Sequence, residues 1–191
     1  EALAAARAVG ERVVVIGTST GGTLAVAAAL DPEMSRDVAA MILIAPNFAV
    51  NNPMAGLLTW PGARYWLPWV MGEERAFEPR SEAQARYWTT RYPVVAVLPM
   101  AALVRAVKAL DLSQIAIPAL FWFSPDDRVV RAEATERVAA RWGGPVTLRR
   151  VTMGPGDDRN AHVVAGDALS PGQTDLAAAE MTAWLRQVLG L

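Results

Sequence analysis

Cysteine is absent from the sequence. Its absence excludes disulfides, thiolate metal sites and a cysteine nucleophile, and it leaves the redox compartment open. Histidine occurs once, at position 162, so a metal held by a cluster of histidines is excluded too. No metal and no organic cofactor is expected. Net charge is −1, too little for the broad field that would draw nucleic acid or an anionic membrane. The apolar fraction is high, 53%, yet no uninterrupted apolar run is long enough to span a bilayer. A cytoplasmic setting is expected. The first residue is Glu1 rather than Met, so a leader or anchor upstream of it would not be visible. Internal repeats, low-complexity tracts and charge blocks are also missing.

What is present fits one domain, because 191 residues can bury one sizeable core. The most informative stretch is Gly17-Thr18-Ser19-Thr20-Gly21. Before it lies Arg12-Val13-Val14-Val15-Ile16, an apolar β-branched run that reads as a buried strand. After it, Gly21 to Leu30 reads as a helix that ends before Asp31-Pro32. A G-x-S-x-G between strand and helix is the setting of a nucleophile elbow. Ser19 would need an unfavourable backbone conformation there, and Gly17 and Gly21 are expected to remove clashing Cβ atoms. Two other glycine motifs do not fit. A dinucleotide loop requires glycine where Ser19 stands, and a Walker A loop requires a lysine before its Ser/Thr.

Along the chain, Glu1 to Val9 reads as an Ala-rich helix, and Met41 to Ala45 as a second all-apolar strand closed by Pro46-Asn47. Two such strands joined by a helix predict a parallel sheet covered on both faces. Residues 48–93 differ in character. They hold five prolines, at 53, 61, 68, 79 and 93, and the aromatics Trp60, Tyr65, Trp66, Trp69, Phe77, Tyr87, Trp88 and Tyr92. They are read as an inserted, mostly helical cap whose aromatics could line an acyl or aromatic pocket. The remaining core, residues 1–47 and 94–191, continues with a helix over Val94–Leu110 and a strand over Ile117–Phe123. A helix over Arg131–Trp142, a fourth strand over Pro145–Met153 and a last helix over Asp175–Leu189 complete it.

Acyl transfer needs a nucleophile, a base that takes its proton and a carboxylate that fixes the tautomer of the base. In open α/β sheets each projects from the C-terminal end of a strand. Ser19 follows the first strand, Asp126-Asp127 the third and His162 the fourth. Asp127 is the favoured acid, with Asp126 capping the loop or the next helix. Asp157, Asp158 and Asp167 are weaker candidates, expected in solvated loops or as caps.

Three stretches carry a resemblance: Gly17-Thr18-Ser19-Thr20-Gly21-Gly22, Ser124-Pro125-Asp126-Asp127-Arg128-Val129-Val130 and Asn160-Ala161-His162. In that order they resemble the C-terminal two-thirds of a serine hydrolase of the α/β-hydrolase superfamily. The likeness is nearest to carboxylesterases and to members similar to monoacylglycerol lipases or serine aminopeptidases. It implies an α/β fold with a mostly parallel sheet flanked by helices and a helical cap. It also implies a Ser19–His162–Asp127 triad acting on a small-molecule ester, with an apolar acyl ester favoured by the aromatic cap and the modest charge. A peptidase, a thioesterase, a C–C hydrolase and a non-catalytic binding protein on the same fold are the alternatives. The family places about four further strands before the elbow, and a loop there supplies half of the oxyanion hole. In this sequence only the Thr20 backbone N–H is assigned to that hole. An N-terminal segment of the same protein is the expected partner for the other half.

Overall fold

The computed structural model describes all 191 residues. Helix α1 (Ala2–Val9) leads through Gly10 into strand β1 (Val13–Thr18), and helix α2 (Thr20–Ala29) starts immediately beyond Ser19. Asp31 accepts hydrogen bonds from the Glu33 and Met34 N–H groups and so caps a one-turn helix, α3 (Pro32–Ser35), that the Asp-Pro break had concealed. Strand β2 (Val38–Ile44) follows.

The 48–93 segment is less purely helical than its sequence suggests. A 3-10 turn (Pro53–Thr59) and helix α4 (Ala63–Met71) precede strand β3 (Glu74–Ala76). Helix α5 (Glu82–Tyr87) comes next, then strand β4 (Arg91–Pro93). β3 and β4 pair antiparallel, tied by an Arg91–Glu74 ion pair at 2.7 Å. Strands this short leave no alternating pattern to read. Pro68 lies inside α4, where its missing N–H forgoes one helical bond.

The stretch expected as one helix from Val94 begins as a 3-10 turn (Val94–Ala96) before helix α6 (Val97–Ala109). Strand β5 (Ala119–Phe123), helix α7 (Ala132–Ala140) and strand β6 (Val146–Arg150) follow. Helix α8 (Pro171–Leu189) starts before the expected Asp175, because Pro171 suits the first helical turn after Ser170.

Four strands form one all-parallel sheet in the order β1-β2-β5-β6. Its register sets Gly17 beside Leu43, and Leu43 beside Phe121, so the C-terminal ends of β1, β2 and β5 lie side by side. The pleat divides the core in two. Met41, Leu43, Ala119, Phe121 and Phe123 meet α2, α6 and α7 on one face. Ile42, Leu120 and Trp122 meet α8 on the other. Each fully buried large side chain here contributes about 1.5–3 kcal/mol. Both edges of the sheet lie open. Every residue of β6 is exposed, and Ile16 in β1 is 60% exposed. No helix is long and apolar enough to cross a membrane.

Candidate active site

Ser19 occupies the single position between β1 and α2, with φ 51° and ψ −120°. That conformation is unfavourable for a residue with a Cβ and persists only when the surroundings dictate it. Here the backbone on both sides is fixed. Ser19 N–H donates to Ile44 O at 2.9 Å, and Ser19 O accepts from the N–H groups of Gly22 and Asn47, both at 3.0 Å. The Thr23 hydroxyl donates to Asn47 O at 2.6 Å beneath it. The strand-to-helix turn is thereby bolted to the end of β2.

The glycine requirement is only half as expected. A Cβ on Gly17 would lie 2.8 Å from Gly22 Cα and 2.9 Å from Gly21 O, so no side chain fits there. A Cβ on Gly21 would meet nothing within 4 Å. The second constrained position is instead Gly22, where a Cβ would come within 3.0 Å of Pro46 Cβ and 3.2 Å of Gly17 O. Gly21 points away from the β1–α2 contact, and Gly22 lies in it.

Asp127 follows β5 in a loop joined to the segment after β2 by Asn51 N–H to Val129 O and Arg131 N–H to Ala49 O, both 2.8 Å. Its carboxylate is buried, 1% exposed. Oδ1 accepts from the N–H groups of Val129 (2.8 Å) and Val130 (2.9 Å). Oδ2 lies 2.7 Å from His162 Nδ1. Asp126 is exposed, and the capping expected of it is done by Asp127 Oδ1.

His162 Nε2 stands 3.0 Å from Ser19 Oγ. With a carboxylate facing Nδ1, the neutral imidazole carries its proton there and turns the lone pair of Nε2 towards the hydroxyl. Ser19, His162 and Asp127, far apart in the chain, are thus connected by two short contacts at the C-terminal rim of the sheet. Thr20 lies beside them as the first residue of α2, where an N–H has no partner within the helix. The adjoining helix terminus favours negative charge. No group of three or more His, Asp or Glu residues could hold a metal ion.

Asp157 and Asp158 depart from expectation, because both are buried rather than solvated. Asp157 accepts from Gly154 N–H, Gly172 N–H and Gln173 Nε2. Burial alone would raise its pKa, but these hydrogen bonds outweigh burial and hold it below the ordinary 3.8. Asp158 accepts from the N–H groups of Asn160, His162 and Val163 and pairs with Arg80. Asp167 stays exposed and accepts from the Thr174 hydroxyl. The only sequence hint of the Asp158 role was Asp-x-Asn ahead of the histidine, an Asx-turn signal.

The aromatics of residues 48–93 are mostly outside. Trp69 is 91% and Tyr65 78% exposed. A cavity of about 330 Å³ between the Pro53–Thr59 turn and α6 is lined by Ala49, Val50, Met100 and Val104 among others, and by no aromatic. Trp60 and Tyr65 line a second depression along α4 and α6, and neither it nor the first includes Ser19 or His162.

A parallel sheet with helices on both faces and a serine between its first strand and the following helix define an α/β-hydrolase superfamily member. More narrowly, residues 2–152 match the serine aminopeptidase S33 family of hydrolases, and the chain belongs to that family. Its fold is similar to that of one structure from the pair LipS and LipT, metagenome-derived lipolytic enzymes, with TM-score 0.69 and 19% identity over 97% of this chain and 69% of the other. It is also similar to a soluble variant of monoglyceride lipase from Saccharomyces cerevisiae, in complex with a substrate analogue. There the TM-score is 0.65 and identity 12%, over 98% of this chain and 66% of the other. Monoacylglycerol lipase from Paleococcus ferrophilus gives 0.66 and 14%, over 97% and 72%. The chain thus spans about two thirds of the length of these structures. No curated protein matches the sequence.

Proposed function

We propose that the protein is a serine hydrolase that cleaves a carboxylic ester through an acyl-enzyme. Ser19 is the nucleophile, His162 the general base and Asp127 the carboxylate that orients it. His162 Nε2 takes the Ser19 proton as Oγ attacks the carbonyl carbon, and the Thr20 N–H faces the developing oxyanion. The imidazolium then gives that proton to the departing alcohol. Water, deprotonated by the same nitrogen, attacks the acyl-enzyme and releases the acid. The observation that carries this proposal is the unbroken line from Asp127 Oδ2 through both ring nitrogens to Ser19 Oγ, at 2.7 and 3.0 Å. The strained backbone of Ser19 adds to it, since such conformations cluster at working sites.

Residues 48–93 are assigned as the cap beside this rim, and an uncharged, apolar acyl ester is the favoured substrate class. Peptide hydrolysis is the second choice, favoured by the aminopeptidase name of the matched family. A panel of p-nitrophenyl esters and aminoacyl p-nitroanilides separates the two. Ser19→Ala is expected to abolish both ester hydrolysis and labelling by a fluorophosphonate. Full labelling of that variant would remove Ser19 from the mechanism.

A further inference from the structure

We propose that Asp158 is a positioning residue for His162, and that Arg80 completes it by linking residues 48–93 to the loop that carries the base. This inference rests on the hydrolase reading above and adds to it a control point outside the three reacting groups. Residues 151–164 contain no helix or strand, so no ladder of backbone bonds holds the imidazole in place. Ala161, next to His162, is itself held at φ 51°. The Asp158 carboxylate takes the place of a ladder for the backbone on either side of His162. Asp158 Oδ2 accepts from the N–H groups of His162 (3.1 Å) and Val163 (3.0 Å), while Oδ1 accepts from Asn160 N–H (3.2 Å). Asp158 N–H donates to the Ser170 hydroxyl at 3.0 Å, and that hydroxyl donates to Val163 O, closing the loop on itself. Arg128 N–H donates to Asn160 O at 2.8 Å, so the loop bearing Asp127 is tied into the same knot.

The carboxylate of Asp158 is only 3% exposed, and its one cationic partner is Arg80 Nη1, at 2.9 Å. A buried charge that loses its partner is left uncompensated. Arg80 is 46% exposed and stands at the start of α5, where the Ser81 hydroxyl donates to Ala168 O at 2.9 Å. The α5 end of the segment is therefore fastened twice to the region around His162. Displacement of that end withdraws the guanidinium, relaxes the turn around Asp158, and moves Nε2 from its 3.0 Å contact with Ser19. An error of about 1 Å at a reacting group costs on the order of 10²-fold in rate.

The test uses Arg80→Ala, Arg80→Lys and Asp158→Asn, with Arg75→Ala as an exposed control. Arg80→Ala is expected to slow fluorophosphonate labelling, and kcat for p-nitrophenyl butyrate, by about 10–100-fold. KM should change by less than about twofold, since the substrate contacts are untouched. Arg80→Lys should recover most of the loss. Because the chain has one histidine, a single set of imidazole NMR signals reports its order independently of turnover. Those signals should broaden or split in Arg80→Ala and in Asp158→Asn, and stay sharp in Arg75→Ala. Wild-type labelling rates together with unchanged imidazole signals in Arg80→Ala would overturn the proposal. A loss that lysine does not rescue and that follows a falling Tm would overturn it as well. If the unaltered protein neither labels nor hydrolyses, the hydrolase reading fails. The imidazole signals then decide the positioning claim alone, and their invariance in Arg80→Ala would end it.

Discussion

The Ser19 turn and the His162 loop face each other across one hydrogen bond, yet they are held by opposite means. At Ser19 the position is set by atoms that are missing. Gly17 and Gly22 let β1 and α2 approach until a Cβ would collide, and the backbone of the serine takes the remaining strain. At His162 the position is set by atoms that are added. Asp158, Asp157 and Ser170 carry oxygens that stand in for the ladder the loop lacks. The first device is steric, and its glycines lie within one short stretch that closes on Pro46. The second is polar and reaches across the chain to Arg80, Gly172 and Gln173.

Several substitutions would break or sharpen that contrast. The largest effect is expected at the joint between the two regions. Asp127→Asn should lower kcat by about 10³–10⁴-fold by presenting the wrong tautomer of His162, while Asp126→Asn should stay near the wild-type rate. Equal losses in the two variants would dissolve the distinction between the buried and the exposed carboxylate. On the steric side, Gly17→Ala should cost about 3 kcal/mol or more in a urea unfolding experiment, since only backbone can yield there. Gly21→Ala should be neutral or stabilising by up to about 1 kcal/mol, because it replaces glycine in a helix with open space beside it. A large penalty at Gly21 would move the constraint back to the position the motif names.

The polar side should show itself in pH. Asp157 binds its proton less readily when folded than its ordinary value near 3.8 implies. Its stabilising contribution is therefore complete above about pH 5 and fades as pH falls through the lowered folded value. Unfolding midpoints measured from about pH 6 to pH 3 should decline in the wild type and decline less in Asp157→Asn. Parallel curves would show that Asp157 plays no part in acid sensitivity.

The same contrast explains what could be read in advance. The parallel sheet, the succession of its strands along the chain and the post-strand loops that hold Ser19, Asp127 and His162 were legible because apolar runs and the breaks after them are local signals. The Gly21 expectation came from the spacing of the motif, whereas the clash depends on where Pro46 and Gly17 sit in three dimensions. Asp157 and Asp158 look like ordinary loop acids, since most of their partners are backbone N–H groups without a residue signature and the side-chain partners, Gln173 and Arg80, lie elsewhere in the sequence. β3 and β4 were hidden by their length, and the 3-10 turn at Val94 by continuous apolarity with α6. The aromatics of residues 48–93 suggested a lined pocket, but hydrophobicity does not say which way a side chain turns, and Trp69 faces water.

Strand β1 has a ladder partner on one side only, β2. Amide protons of β1 that point to the other side should therefore exchange with solvent deuterium quickly, while those engaged with β2 persist. Ser19, with its contorted backbone, thus hangs from a strand that is laddered along one edge alone. Fraying along that free edge leaves Ser19 in place, because its own bonds run to Ile44 and Asn47 on the β2 side.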